Sequence, residues 1–200
     1  MRIKFAIVLG GILLSAVAQA EDFKCPTPGL ALRYSDGGLL RYDGRDGFWC
    51  MRSRLNGKPF ASELGHVAFY YRDRASGNEF DKWLNAVAEL WPIAPGKSVS
   101  FIYQDVEGGD NAGSQRNSFI YARDVSVEPP RQITVPAGTF TVYPIVDILR
   151  GTGGNYHRSS RTYYYAPDLG ANVKFEYRLI SGGQVNQPKP WEVVEVILAK

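Results

Sequence analysis

The sequence predicts a mainly β protein: a strongly curved antiparallel sheet or partial barrel carrying one amphipathic helix. Three observations point there. Short apolar or alternating runs recur between glycine-rich turns, only one stretch has helical spacing, and the turns are too short for parallel crossovers. Seven to ten strands with one helix leave a β-sandwich as the alternative architecture.

The elements follow in order. Leu30–Tyr34 and Leu39–Tyr42 flank Asp36-Gly37-Gly38, which is hairpin punctuation. Phe48–Leu55 is the next strand, closed by Asn56-Gly57, and Gly65–Arg72 is another. Between Asn78 and Trp91 the apolar residues Phe80, Trp83, Leu84, Val87, Leu90 and Trp91 fall three and four apart, so this segment reads as a helix ended by Pro92. Trp83, Leu84 and Val87 share the face expected against the sheet.

Strands then follow at Ser98–Val106, Ser118–Val127, Gln132–Val135, Thr139–Leu149, Arg161–Tyr165, Val173–Ile180 and Glu192–Leu198. Val173, Phe175, Tyr177 and Leu179 alternate with Lys174, Glu176 and Arg178, the pattern of a strand with one buried face. Val135-Pro136-Ala137-Gly138 is a hairpin turn between adjacent antiparallel strands. Pro144 lacks a backbone donor, so it belongs at an edge or a bulge.

Residues 1–20 have the layout of a secretory signal: Arg2 and Lys4, an apolar run from Phe5 to Val17, then Ala18-Gln19-Ala20. Cleavage near Ala20 leaves one domain, 21–200, expected in the periplasm or secreted. No later stretch is long and apolar enough to span a bilayer as a helix, and integral membrane insertion is not expected. Short strands with charges on either face also argue against an outer-membrane barrel. The mature chain keeps 21 basic against 20 acidic residues, a net charge of +1 with no basic cluster, so nothing drives capture of nucleic acid. Cys25 and Cys50, the only cysteines, are expected to form a disulfide in an oxidising compartment.

Three stretches carry a resemblance. Trp91-Pro92 with Gly96-Lys97, Val135–Phe140, and Tyr164-Tyr165-Ala166-Pro167 with Leu169-Gly170 resemble, in that order and spacing, a group of exported bacterial β-rich proteins of unknown function. Some of that group are similar in fold to the periplasmic half-barrel that carries lipoproteins and holds acyl chains. The resemblance implies a periplasmic home and supplies no catalytic residues.

The residues carry little recognisable catalytic chemistry. No Gly-x-Ser-x-Gly, His-Glu-x-x-His or P-loop pattern occurs, and the two histidines, His66 and His157, complete no metal site with the cysteines. Neither a catalytic set nor a metal or cofactor is assigned. Asp105, Glu107 and Asp110 read as a solvated acidic turn. Gly151–Arg158 offers backbone N–H groups beside His157, Arg158 and Arg161 for an anion, although a hairpin tip explains the same residues.

Aromatics make up 13% of the chain, and Tyr163, Tyr164 and Tyr165 put rings on both faces of one strand. Tyr163, Tyr165, His157, Arg158 and Arg161 are therefore the binding candidates, with partly exposed rings available to an apolar or amphipathic ligand. The function expected is a non-catalytic binding or carrier module. An envelope structural or assembly factor that meets another envelope protein is one alternative, and a hydrolase is the other.

Overall fold

The structure, a computed structural model, describes residues 20, 22–54, 59–64, 68–70, 85–107, 117–152, 156–183 and 187–198. It contains β1 (Ala31–Tyr34), β2 (Leu39–Asp46), β3 (Trp49–Arg54), β4 (Pro59–Leu64), β5 (Ala68–Tyr70) and β6 (Ser98–Glu107). The second half adds β7 (Asn117–Val127), β8 (Arg131–Val135), β9 (Gly138–Gly151), β10 (Arg158–Ala166), β11 (Ala171–Ser181) and β12 (Trp191–Ile197). All belong to one 12-stranded sheet ordered β5-β4-β3-β2-β1-β12-β11-β10-β9-β7-β6, with β8 paired to β9 off this path. Each pairing is antiparallel, as short connections require. Among the described residues the terminal strands β5 and β6 do not pair, so the sheet is open and the sandwich alternative falls away.

The expected strands are present, generally shifted by a residue or two, and β4 is an addition to them. Pro59 and the polar pair Ser62-Glu63 break the apolar run there and hid that strand. Its turn, Asn56-Gly57, and His66 lie outside the described residues, as do Phe80, Trp83, Leu84 and Asp110. Within the expected helix, 85–88 is the helical part described. Val87 and Leu90 on that turn are buried in the core, together with Trp91 and Ile93 just after it.

Two places shape the sheet. β12 joins its halves, pairing with β1 over four positions but with β11 only through Lys174↔Glu192 and Phe175↔Trp191. Aromatic contacts fill that short seam: Trp191 stacks on Phe175 at 5.8 Å and meets Tyr34 edge-on at 4.9 Å. The second place is β9, which pairs with β8 from Gly138 to Val142 and with β7 from Ile145 to Gly151. Pro144 sits where the partner changes, so its missing N–H falls in a local edge and no ladder bond is lost. Its carbonyl accepts from the Glu128 N–H at 2.9 Å. The Pro136-Ala137 turn links Val135 to Gly138, whose φ of 140° lies in the range open to glycine.

The disulfide is formed, with Cys25 and Cys50 25 residues apart in sequence and 5.4 Å apart at Cα. It ties the N-terminal segment to β3. Phe23, beside it, meets Phe48 at 5.0 Å and Trp91 at 5.2 Å, and Trp91 meets Tyr165 at 6.3 Å. Gly170 is the close approach beneath this segment: a Cβ there would stand 2.7 Å from the Cys25 carbonyl carbon.

Candidate functional site

Register decides which side chains meet. Between β9 and β10, Leu149 faces Ser159, Asp147 faces Arg161, Ile145 faces Tyr163 and Tyr143 faces Tyr165. Residues directly opposite share a face, so the rows extend to neighbouring strands. The Asp147–Arg161 row continues to Val125 on β7 and Tyr177 on β11, and the Ile145–Tyr163 row to Val127 and Phe175. This is the inner face, and β10 is graded along it. Tyr165 and Tyr163 are buried among apolar residues; Arg161 and Ser159 follow two and four positions nearer the strand's start.

The polar end is a cluster of five side chains. Arg123 and Asp147 are 3% and 0% exposed and form a two-point ion pair: Arg123 Nε donates to Asp147 Oδ1 at 3.0 Å, and a terminal nitrogen donates to Oδ2. Phe101 lies under the Arg123 guanidinium, 5.6 Å from it. His157 Nε2 and Ser159 Oγ share a hydrogen bond of 3.1 Å. The His157 ring meets Tyr121 edge-on at 6.4 Å, and its carbonyl accepts from the Gly151 N–H at 2.7 Å. A Cβ at Gly182 would come within 2.9 Å of His157 Cα, so the start of β10 is pressed against the end of β11.

Charge is uneven across this cluster. Asp147 and Arg123 neutralise one another, while Arg161, opposite Asp147 in register, adds a further positive charge. Its Nε is sealed from solvent without a hydrogen-bond partner, though the residue as a whole is only partly buried. Burial, followed by the Arg161 charge, holds the His157 pKa below the ordinary value of 6.5. His157 is therefore neutral at pH 7.

The structure brings His157, Arg161 and Tyr163 onto one face and buries Tyr165 further along it. Arg158 is exposed at the strand's first position, where the β10–β11 register shifts. The tyrosine run differs from expectation, because all three rings are buried and none offers a partly exposed face. On the outer side Tyr164 donates to Glu176 at 2.8 Å, with the Arg131 guanidinium 5.7 Å and the Lys174 ammonium 5.5 Å from its ring centre. These polar groups cover it. Arg123, Asp147 and Ser159 were absent from the sequence-based candidates. The available signal was parity: Asp147 is the sole charge in Val142–Leu149, at a position that alternation points inward.

Chemically, the cluster offers hydrogen-bond donors and positive charge. Ser159 is 0% exposed, which denies a substrate access to its hydroxyl. Among the described residues no group of three or more His, Cys, Asp or Glu could hold a metal, and no helix is long and apolar enough to cross a membrane.

No protein family and no curated protein matches the chain. Two solved structures are similar to it. One is the hypothetical lipoprotein YmcC from Escherichia coli K12, at 10% identity and TM-score 0.44, covering 94% of this chain and 93% of that one. The other is a putative exported protein with a YmcC-like fold from Bacteroides fragilis, at 13% identity and TM-score 0.37, covering 89% of this chain and 100% of that one.

Proposed function

We propose that the protein is an exported, non-catalytic binding or carrier module for an apolar or amphipathic ligand. It works as one domain in the periplasm or outside the cell after loss of residues 1–20. The observation that carries this reading is the grading of the inner face along β10. Buried Tyr165 and Tyr163 give way to partly buried Arg161 beside a neutral His157 and a charge-balanced Arg123–Asp147 pair. This buried row passes from apolar to cationic within a few residues, the order of groups in a molecule with an apolar body and a polar end. Because Tyr163 and Tyr165 are closed to solvent, the reading requires their packing to part on binding. The disulfide supports an oxidising compartment.

The test is recovery of the protein from a bacterial periplasm, followed by organic extraction and mass spectrometry. A near-stoichiometric amphiphile is the expected result. A ligand-free extract, together with failure of the purified protein to bind a fluorescent fatty acid, contradicts the reading.

One contact favours a hydrolase instead: the His157–Ser159 hydrogen bond, since a histidine beside a serine can take its proton. Complete burial of Ser159 weighs against attack on a substrate. A fluorophosphonate probe separates the two readings, because covalent labelling at Ser159 would replace the carrier with an enzyme.

A further inference from the structure

The charged cluster has a cation to spare. The β9–β10 register sets Arg161 directly across from Asp147, where the two would ordinarily pair. Asp147 is already engaged: Arg123, reaching over from β7, donates to both of its carboxylate oxygens. Arg161 is left with a sealed Nε that donates to nothing. Among the described residues no carboxylate lies within ion-pair distance of it. A guanidinium deprived of its neighbour in a half-buried setting is costly unless something else supplies negative charge. The residues around it add no acid. His157 is neutral, Ser159 is a hydroxyl bonded to His157, and Tyr177 and Tyr163 lie on the adjacent strand and two positions along β10.

From this geometry we infer that Arg161 binds an oxyanion, a carboxylate or phosphate held by its planar fork of N–H donors, and that this anion is the polar end of the ligand on the inner face. The inference rests on the inner-face reading above and sharpens it to an anionic amphiphile. An Arg fork matches the two oxygens of either anion, which a neutral alcohol head cannot reproduce. The neutral Arg123–Asp147 pair neither competes for the anion nor repels it, so Arg161 sets the local field. Its position two residues from Tyr163 on the same face places the head where the buried apolar row ends, so the chain must enter by parting the core packing around Tyr163.

Calorimetric titration of the purified protein with laurate, dodecyl phosphate, dodecanol and inorganic phosphate tests this, using the wild type, Arg161→Met and Arg161→Lys. Folding of each variant is checked by circular dichroism. Laurate or dodecyl phosphate should bind at least about tenfold more tightly than dodecanol, as a charge-assisted fork implies. In Arg161→Met that preference should fall to within about twofold, with dodecanol affinity unchanged; Arg161→Lys should retain part of it. Equal binding of all three chain compounds by the wild type overturns the anion site and leaves the apolar reading standing. So does an undiminished preference in folded Arg161→Met. Binding of inorganic phosphate alone, abolished by Arg161→Met, keeps the oxyanion site but removes the amphiphile. Binding of none of the four overturns both readings. The wild-type comparison decides the matter even if Arg161→Met does not fold.

Discussion

Arg123 and Asp147 form a buried two-point ion pair that joins β7 to β9 across the inner face of the sheet. Burial makes this pair sensitive to the loss of one partner. Asp147→Ala strands a guanidinium that is 3% exposed, and the expected loss of stability is roughly 3–5 kcal/mol. Replacing both residues, Arg123→Met with Asp147→Leu, should cost less than the two single changes combined, because no charge is then left uncompensated. Urea unfolding of Asp147→Ala, of the two single replacements and of the double measures this. Additive losses would mean that the side chains are not coupled.

The disulfide anchors the N-terminal segment that places Phe23 against Trp91 and Phe48. Replacing both cysteines by serine should lower stability by roughly 3–4 kcal/mol, from loop-closure entropy in the unfolded chain. Denaturation with and without reductant reads the same effect in the wild type. An unchanged midpoint after verified reduction would contradict it.

Two glycines separate backbone conformation from space. Gly37 has φ of 88° with nothing within 4 Å of an added Cβ, so Gly37→Ala should cost about 1–2 kcal/mol from conformation alone. Gly170 has φ of 70°, and its Cβ would meet the Cys25 carbonyl carbon at 2.7 Å. Gly170→Ala must therefore cost markedly more, because the obstacle is backbone tied down by the disulfide. Equal midpoints for the two variants in urea would show that the N-terminal segment does not press on Gly170.

His157 makes stability depend on pH. Its folded pKa lies below the value of 6.5, through burial first and the Arg161 charge second. The unfolded chain therefore takes up a proton at a higher pH than the native one does. The contribution is fully present above about pH 6.5 and is lost as pH falls from there toward the depressed folded value. His157→Gln should flatten that part of the profile, and Arg161→Met should move its lower limit upward. Thermal melts between about pH 5 and 8 check both expectations; a profile identical in wild type and His157→Gln would rule them out.

Strand positions were legible because alternation and turn chemistry are local. Val173 and Phe175 are buried as their alternation predicts, while Tyr177 and Leu179 further along are partly buried beside an exposed Arg178, and Pro136 and Gly138 mark the β8–β9 hairpin. The order β1-β12-β11 was not legible, since the contacts of β12 depend on pairing between the two ends of the chain. Neither was the partner change at Pro144, where one long strand serves two neighbours. The candidate site was half legible. His157 and Arg161 stood out beside a glycine-rich turn, but Arg123 and Asp147 became partners only through the β7–β9 register, 24 residues apart in sequence. The tyrosine run showed how far pattern reaches: it marked aromatic rings on both faces, while burial of Tyr164 came from Arg131, Lys174 and Glu176.

Solution NMR of the protein with isotope-labelled arginine side chains, titrated with laurate, tests directly whether Arg161 holds an anion on the inner face. The Arg161 Nε–H resonance should shift with saturation, accompanied by Asp147, Tyr163 and Tyr177 on the inner face. Ser100, Asp124 and Arg150, whose side chains form a hydrogen-bonded and ionic network on the other face, should stay in place. Saturable laurate binding that leaves Arg161 unmoved, or that shifts the Ser100–Asp124–Arg150 network instead, would contradict an anionic amphiphile held on the inner face.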